Sequence, residues 1–342
     1  MSLKKFEPDF WLELESTYLD RLKQRKELYS QYKTDILDAL PGSSSACVEL
    51  AEMVIQFLCA RYPRHFVFTP STGIFNNRIL EQEADTTAWR YKGAGEGAGI
   101  EALKFLMDHV PEDFLVTQEN TKTGNYELIA GVVCSALGWT IQHKLGKPLH
   151  KIHGPVPDYK EKMEFSMNRF FSKMSCDKPI QRGSWGLEIG KPLFTPPNDP
   201  HLKLRETQLS DLKLEDIHLR VDWQTLRRLP ISRAIIFNYK ALFTPFSEFR
   251  NEPYIPRLVA KILRDGKEEI MKYKGTWHVE HRVLPALDQW ALEQEEKGWV
   301  PKDWKERTLD EDPFFPANNV QTCHELYAQA SAGLDLGSGH KR

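Results

Sequence analysis

Three histidines lie close together near the middle of the chain. His143, His150 and His153 fall within eleven residues, whereas the whole chain of 342 residues contains 11 histidines. The segment ends in Gly154-Pro155-Val156-Pro157. Proline lacks a backbone donor and drives the residue before it toward an extended conformation, so a helix or strand must stop here. A histidine beside such a break sits on a stiff backbone, which suits a metal ligand or catalytic base. The alternative is three ordinary surface histidines on a loop.

A second group of reactive side chains follows about seventy residues later. Arg220, Arg227 and Arg228 lie between two apolar runs, residues 217–221 and 234–243, that read as strands of one sheet. Guanidinium groups near a protein core pair with carboxylates through two parallel hydrogen bonds, including the carboxylates of a cofactor. The alternative is a set of solvated charges in ordinary ion pairs.

Several elements must position these side chains. Residues 114–119 and 126–135 are apolar runs joined by the turn Thr123-Gly124-Asn125, which predicts an antiparallel hairpin leading into the histidine segment. Residues 183–189 form another strand candidate. Helical spacing of apolar residues predicts helices in the first forty residues and over 47–62, 100–110, 158–174, 253–272 and 278–297. The order is that of an α+β protein, not of an alternating βαβ one.

Residues 64–98 are expected to be irregular, with Ser44 or Ser45 capping the helix before them. They end in the glycine-rich run 93–99, which formally resembles a dinucleotide-binding loop. The residues before that run do not form the apolar buried strand that such a loop requires. A connector that precedes a helix is the favoured interpretation.

Composition excludes several classes of protein. The net charge of −2 argues against a nucleic-acid-binding protein, which normally carries a basic domain. No stretch approaches the roughly 18 consecutive apolar residues of a membrane helix, and the first residues lack the apolar core of a signal peptide. Five widely spaced cysteines without a Cys-x-x-Cys motif indicate reduced thiols, as in a cytoplasmic protein.

The histidine segment also resembles a known family. Trp139, Lys144, Gly146, Leu149, Ile152-His153 and Pro155-Val156-Pro157 are similar to a signature of the haem-dependent oxidative N-demethylase alpha-subunit-like family. The resemblance continues in Arg169-Phe170-Phe171, Arg182-x-x-Trp185, the run from Leu219 to Pro230, and Tyr273-Lys274-Gly275. Upstream it includes Gln118-Glu119. It covers roughly residues 6 to 290.

The resemblance implies a fold and an activity. The fold is a PAS-like antiparallel sheet of five strands with N- and C-terminal helical additions: a helical extension over 1–62, a haem-binding core over 63–290, and a C-terminal extension over 291–342. The composition of the last dozen residues, and not the resemblance, predicts a disordered tail. The cofactor is haem b, with one axial histidine and the opposite position open for dioxygen. The activity is oxidative N-demethylation of a small secondary amine, with electrons arriving from NADPH through flavin and iron–sulfur partner subunits.

Site residues follow from combining the resemblance with the chemistry that haem needs. His153 is expected to ligate the iron, with His150 as the alternative ligand and His143 at the surface. The apolar slot is assigned to Ile152, Val156, Phe170 and Phe171. The cations for the haem carboxylates are sought among Arg220, Arg227 and Arg228. The polar groups that would bind oxygen and the amine are Arg220, Asp222, Gln224 and Tyr239, with Glu119 as a further candidate.

The sequence departs from the family pattern at two places. The usual Arg-x-Glu-Arg-Gln-Thr reads Arg-x-Asp-Trp-Gln-Thr, so that Asp222 shortens a carboxylate and Trp223 replaces a cation. The usual Gln-Glu-Asp becomes Gln-Glu-Asn at Asn120. These changes leave fold and haem binding as expected, and they put the identity of the substrate in doubt.

Three functions compete on this evidence. The first is a haem-dependent oxidase or oxygenase that acts on a small nitrogen-containing molecule. The second is a haem sensor of gas or redox state without turnover, because PAS-like folds often serve that role. The third is a haem-free binding protein that kept only the fold.

Overall fold

The computed structural model describes residues 3–90, 95 and 97–306. It contains ten strands: β1 (Lys4–Lys5), β2 (Leu37–Ala39), β3 (Phe66–Thr69), β4 (Ile74–Asn77), β5 (Gln82–Asp85), β6 (Asp113–Glu119), β7 (Tyr126–Val132), β8 (Ile180–Ile189), β9 (Ile217–Arg228) and β10 (Ile235–Pro245). The α-helices are α1 (Tyr18–Tyr32), α2 (Ser44–Arg61), α3 (Thr87–Arg90), α4 (Ala98–His109), α5 (Leu149–Ile152), α6 (Glu164–Lys173), α7 (Pro200–Lys203), α8 (Ile255–Asp265), α9 (Glu268–Lys274) and α10 (Trp277–Glu296).

A seven-stranded sheet lies at the centre of the fold, in the order β1-β8-β9-β10-β6-β7-β2. Every neighbouring pair in it is antiparallel. This confirms the α+β class and the hairpin β6–β7. The two edge strands have only two and three residues, so five long strands make up most of the sheet. Short edge strands limit the unpaired backbone that the sheet exposes to other chains.

One face of the sheet, here called the core face, is covered by helices. Phe114 and Val116 of β6, Ala130 and Val132 of β7, and Ile236 of β10 alternate with residues of the other face and join one large apolar cluster. Helices α2 and α4 supply half of its remaining buried side chains, because each carries apolar residues at helical spacing. Burial of each large apolar side chain stabilises the fold by about 1.5–3 kcal/mol.

The opposite face carries charged and amide side chains and is here called the polar face, defined by Arg182, Arg220, Asp222, Gln224, Arg228 and Tyr239. The histidine segment and the helices after it cover this face. They pack through two small apolar clusters, one that contains Leu149, Leu226 and Ile235 and one that contains Ile141, Ile152, Leu115 and Leu128. The predicted segment therefore lies against the predicted arginine strand.

Strand β9 corrects the sequence interpretation of the arginines. The prediction ended this strand at residue 221 and placed Arg227 and Arg228 after it, whereas β9 continues to Arg228. Side chains along a strand alternate between its two faces, so neighbouring arginines must point in opposite directions. The polar residues of β9 interrupted the apolar pattern that marks a strand, which is why the sequence suggested an earlier end.

Other boundaries also differ from the prediction. The irregular region contains a small antiparallel sheet, β3-β4-β5, whose last strand is mostly exposed and polar and so shows no apolar alternation. Helix α2 starts after Ser43, whose hydroxyl donates to the Leu40 carbonyl and does not cap the helix. The predicted helix over 158–174 begins with a π-helical turn, Tyr159–Met163. The predicted helix over 253–272 is divided at Gly266 into α8 and α9.

The chain divides into two compact units. The first comprises residues 1–247 and 267–282, including the central sheet, and the second comprises residues 248–266 and 283–342. No described helix is both long enough and apolar enough to cross a membrane. The tail predicted to be disordered and residues 93, 94 and 96 of the glycine-rich run lie outside the described residues.

Candidate functional site

The polar face holds an ordered cluster around Arg220. Its guanidinium is buried and donates to Asp222 at 2.9 Å, to the Pro192 carbonyl at 3.0 Å and to the Ser135 carbonyl at 2.6 Å. These three acceptors fix the guanidinium and, through it, the Asp222 carboxylate. Burial raises the pKa of Asp222, and the positive charge of Arg220 opposes that effect. Asp222 is thus an oriented carboxylate that holds a proton more readily than an exposed aspartate.

Tyr239 and Gln224 lie opposite each other on strands β10 and β9. The phenol of Tyr239 is buried, and it donates to the Ser135 carbonyl at 3.4 Å. Burial raises its pKa well above the usual value, and the negative charges of Asp113 and Asp222 raise it further, so it stays protonated. Among the described residues, no group donates to the buried Oε1 of Gln224. A buried acceptor without a donor costs about 1–3 kcal/mol, which indicates a place prepared for a ligand.

Arg228 and Arg227 have different environments because they point to opposite faces. On the polar face, Arg228 donates to the Met174, Phe171 and Arg233 carbonyls and to the Tyr126 hydroxyl. On the core face, the guanidinium of Arg227 lies over the rings of Trp11 and Phe6, at 4.2 and 5.5 Å from their centroids. The structure does not bring Arg227 to the side of the sheet that His153 covers. Arg228 does lie on that side, and its guanidinium is hydrogen-bonded to other groups of the protein.

His153 follows directly after the short helix α5. Its Nδ1 lies 2.8 Å from the Leu149 carbonyl, which can only accept, so Nδ1 carries the proton. Its ring stacks on Tyr159 with the centroids 5.0 Å apart and the planes 8° from parallel. Burial lowers the pKa of His153; the charges of Lys144 and Arg182 lower it further, and the hydrogen bond to Leu149 opposes them. The imidazole is therefore neutral at pH 7, with a lone pair on Nε2.

The other two histidines are placed differently. His143 is exposed, and its Nδ1 caps the turn Ile141–His143 by accepting from the Thr140 backbone at 3.2 Å. His150 is half-buried within α5. Neither ring shows the combination of stacking and backbone hydrogen bonding found at His153.

The apolar candidates divide between two places. Ile152 joins the cluster beneath Trp139, and Val156 is half-buried in the break after His153. Phe170 and Phe171 lie on α6 and pack with Met174 above Leu226. The outer side of α6 also lines an open cavity of about 510 Å³, whose walls are Phe165, Ser166, Arg169, Phe170, Lys173, Met174, Ser175 and Lys178.

Two residues that departed from the family pattern lie away from this cluster. Trp223 pairs with Lys240 and Gly183 on the core face. Asn120 lies in the β6–β7 turn, where its amide donates to Glu127 at 3.1 Å. Glu119 ends β6 and is exposed. Of the departures, only Asp222 lies on the polar face.

The comparison with known proteins decides the family. A family model described as haem-dependent oxidative N-demethylase, alpha subunit-like, matches residues 2–284. The chain belongs to this family. The match includes the whole central sheet and the histidine segment, and the family name implies dependence on haem and an oxidoreductase type of chemistry.

This N-demethylase alpha-subunit-like chain contains side chains near His153 that the sequence reasoning did not assign. Tyr159 stacks on the imidazole. Lys144 lies over the Trp139 ring, with Nζ 3.4 Å from the centroid. Arg182 of β8 is paired in register with Gln224 and so shares its face. Lys144 and Arg182 belong to the family-like motifs, which was the available signal. The stacking of Tyr159 on His153, across the Gly154–Pro157 break, had no such signal.

These residues fit a haem. A metal-ligating histidine typically donates its second ring nitrogen to a carbonyl or carboxylate, as Nδ1 of His153 does. Gln224, with its unsatisfied Oε1, and Arg182 lie on the face that this segment covers, and Lys144 belongs to the segment itself. The chemistry of the donor set therefore agrees with the family.

Proposed function

We propose that this chain binds haem b through His153 and uses dioxygen to oxidise a small amine on the polar face. The PAS-like fold is part of the proposal. Its support is the antiparallel core of five long strands, ordered β7-β6-β10-β9-β8, with helices inserted between β7 and β8. The observation that carries the proposal is the His153–Leu149 hydrogen bond, which fixes the tautomer and leaves Nε2 available as a ligand.

Haem iron, when bound, supplies the redox chemistry of the reaction. The protein has to hold the amine, and the polar face offers two acceptors for its N–H groups. Gln224 presents an oxygen without a donor, and Asp222 presents a carboxylate held by Arg220. A secondary amine is a cation with two N–H donors at neutral pH, and it must lose one proton before its nitrogen can be oxidised. Asp222, whose pKa is raised by burial, is suited to accept that proton.

Tyr239 and Arg220 support this arrangement from behind. Both donate to the Ser135 carbonyl, so the two side chains are tied to one backbone atom. The protonated phenol cannot compete with Asp222 as a base. Rigid polar groups of this kind stabilise developing charge without reorganising during the reaction.

The proposal also includes haem b as the type of haem, NADPH-linked flavin and iron–sulfur partners, and a cytoplasmic location. The arginines do not all keep their expected roles. Arg220 remains part of the site as the partner of Asp222, and Arg228 as a structural support. Arg227, on the core face, has no role in the proposed site.

The test is turnover by the haem-loaded protein. The full chain is loaded with haemin, supplied with electrons by a photoreduced flavin, and assayed for oxygen consumption and aldehyde release over a panel of secondary amines. We expect amine-dependent release of aldehyde. The variant Asp222→Asn should lower kcat/KM by about a hundredfold without changing haem content. The matched control, Asp211→Asn at an exposed loop position, should leave both unchanged. Haem binding with no turnover of any amine would favour the sensor and contradict the proposal.

A further inference from the structure

Lys144 is a half-buried lysine for which no described residue supplies a neutralising carboxylate. Its ammonium lies 3.4 Å from the centroid of the Trp139 ring, a contact worth about 0.5–2 kcal/mol. Burial lowers the pKa of this amine to about 8. A charge withdrawn from water without a carboxylate partner is unfavourable, so the position of this half-buried ammonium indicates a site that an anion would complete.

Arg182 is a second cation near the same segment. It lies on β8 opposite Gln224 and faces the covered side of the sheet. Burial lowers the pKa of its guanidinium, and the phenol of Tyr273 partly opposes this effect. Leu149 of the histidine segment shares an apolar cluster with Leu226, and Gln224, the register partner of Arg182, lies two residues before Leu226 on the same face. Lys144 belongs to the segment that carries the proposed ligand, and Arg182 lies on the face that this segment covers.

The arginines selected from the sequence do not serve this purpose equally well. Arg220 and Arg228 donate to carbonyls and side chains of the protein, and Arg227 lies on the other face. A further set of cations, Arg169, Lys173 and Lys178, lines the open cavity beside α6 and lies in solvent-accessible positions. That set is the competing location for an anionic group.

We propose that Lys144 and Arg182 are the cations that neutralise the two propionate carboxylates of a haem ligated by His153. The inference rests on the proposed function, since it requires haem at this site. Both residues belong to the family-like motifs, and neither lies on β9, the strand that carries Arg220 and Arg228.

The test distinguishes recognition of the haem carboxylates from binding of the rest of the haem. The full-length apoprotein is titrated with haem and, in parallel, with haem dimethyl ester, whose carboxylates are uncharged; binding is followed by Soret absorbance and tryptophan quenching. We expect Lys144→Met and Arg182→Met each to weaken haem binding about tenfold, and the double variant about a hundredfold. All variants should bind the dimethyl ester as the unaltered protein does, and the Soret position should stay the same because His153 is intact.

Three controls make the result decisive. Lys144→Arg keeps the charge and should restore most of the haem affinity. Lys173→Met, at the α6 cavity, should bind haem normally. Urea unfolding of each apoprotein establishes that a loss of affinity is not a loss of folding.

Equal affinity of the Lys144→Met and Arg182→Met variants for haem would overturn the assignment, and so would a loss seen only with Lys173→Met. Failure of the unaltered protein to bind haem would instead refute the proposed function, and the inference with it.

Discussion

The two faces of the central sheet are built from different chemistry. On the core face, Phe114, Val116 and Ile236 join one continuous apolar cluster, and a buried polar group such as Asn238 is satisfied by Trp11 and Thr225. On the polar face the apolar clusters are small, and charged groups lie between them. The difference indicates that one face supplies most of the stability while the other is free to hold groups that serve a ligand.

The same contrast appears between adjacent residues of a single strand. Because side chains alternate, one step along β6 or β9 moves from one face to the other. Pairs of neighbouring residues are therefore internal controls: they share backbone, strand and register, and they differ only in the face they occupy.

The largest expected effect comes from Phe114 and its neighbour. Phe114 is fully buried on the core face, so Phe114→Ala should lower the free energy of unfolding by about 3–5 kcal/mol. Leu115 is half-buried on the polar face. Leu115→Ala should therefore lower the free energy of unfolding by about 1–2 kcal/mol, because less contact area is lost. Urea unfolding followed by circular dichroism measures both. Equal losses would remove the distinction between the faces.

For Arg228 and Arg227 the order of stability losses is the reverse: the residue on the polar face should cost more than its neighbour on the core face. Arg228→Met removes hydrogen bonds to three carbonyls and a hydroxyl and should destabilise the fold by about 3 kcal/mol. Arg227→Met loses its contacts with the rings of Trp11 and Phe6 and should cost about 1 kcal/mol or less. Thermal unfolding of the two variants at one pH provides the comparison. A larger loss for Arg227→Met would mean that charge is more important on the core face than the contacts indicate.

Lowering the pH should destabilise the fold through His109, which lies at the end of α4 beside the core face. Burial, with the nearby charge of Lys26, lowers its pKa from 6.5 to about 4, and its Nδ1 accepts from the Asn77 amide at 3.2 Å. Because the folded-state pKa lies below that of the unfolded chain, the unfolded state takes up the proton first. Stability should therefore fall as the pH drops from about 6.5 to 4, by about 2 kcal/mol at pH 5.

The variant His109→Gln tests this pH effect. It keeps an acceptor for Asn77 but cannot titrate, so urea midpoints measured between pH 7 and 5 should decline less steeply. His278, also buried with its pKa lowered to about 4, acts in the same direction, so the decline should be reduced and not abolished. An unchanged slope would show that His109 does not contribute.

The smallest effect has the opposite sign. Gln224→Met removes a buried oxygen that lacks a donor, so the apoprotein should become more stable by about 1 kcal/mol, or remain unchanged. Asn238→Leu, on the core face, removes a satisfied group and should destabilise. Chemical unfolding of the two variants, together with amine turnover of Gln224→Met, makes the comparison. A destabilised Gln224→Met would mean that its oxygen already has a structural partner.

Much of the architecture was available from the sequence because it depends on local signals. The apolar runs around Thr123-Gly124-Asn125 predicted the β6–β7 hairpin, and helical spacing predicted α2 and α4 to within a few residues. The motif around His153 predicted the family, which the match over residues 2–284 confirms. Haem binding by His153 stays a prediction.

The remainder depended on register and tertiary packing. The last seven residues of β9 include polar ones that break the apolar pattern, so the sequence did not predict them as strand. Only when they are known to be strand can Arg227 and Arg228 be placed on opposite faces. The exposed strand β5 lacked an apolar pattern. The stacking of Tyr159 on His153 joins two rings across the Gly154–Pro157 break, an arrangement that no sequence motif indicated.

The most direct test of the central claim is haemin titration of three proteins: the unaltered chain, His153→Ala and His150→Ala. The account predicts one Soret band for the unaltered chain and His150→Ala, loss or a marked shift of that band in His153→Ala, and its recovery when imidazole is added to His153→Ala. An unaltered band in His153→Ala, or its loss in His150→Ala, would contradict the assignment of His153 as the haem ligand.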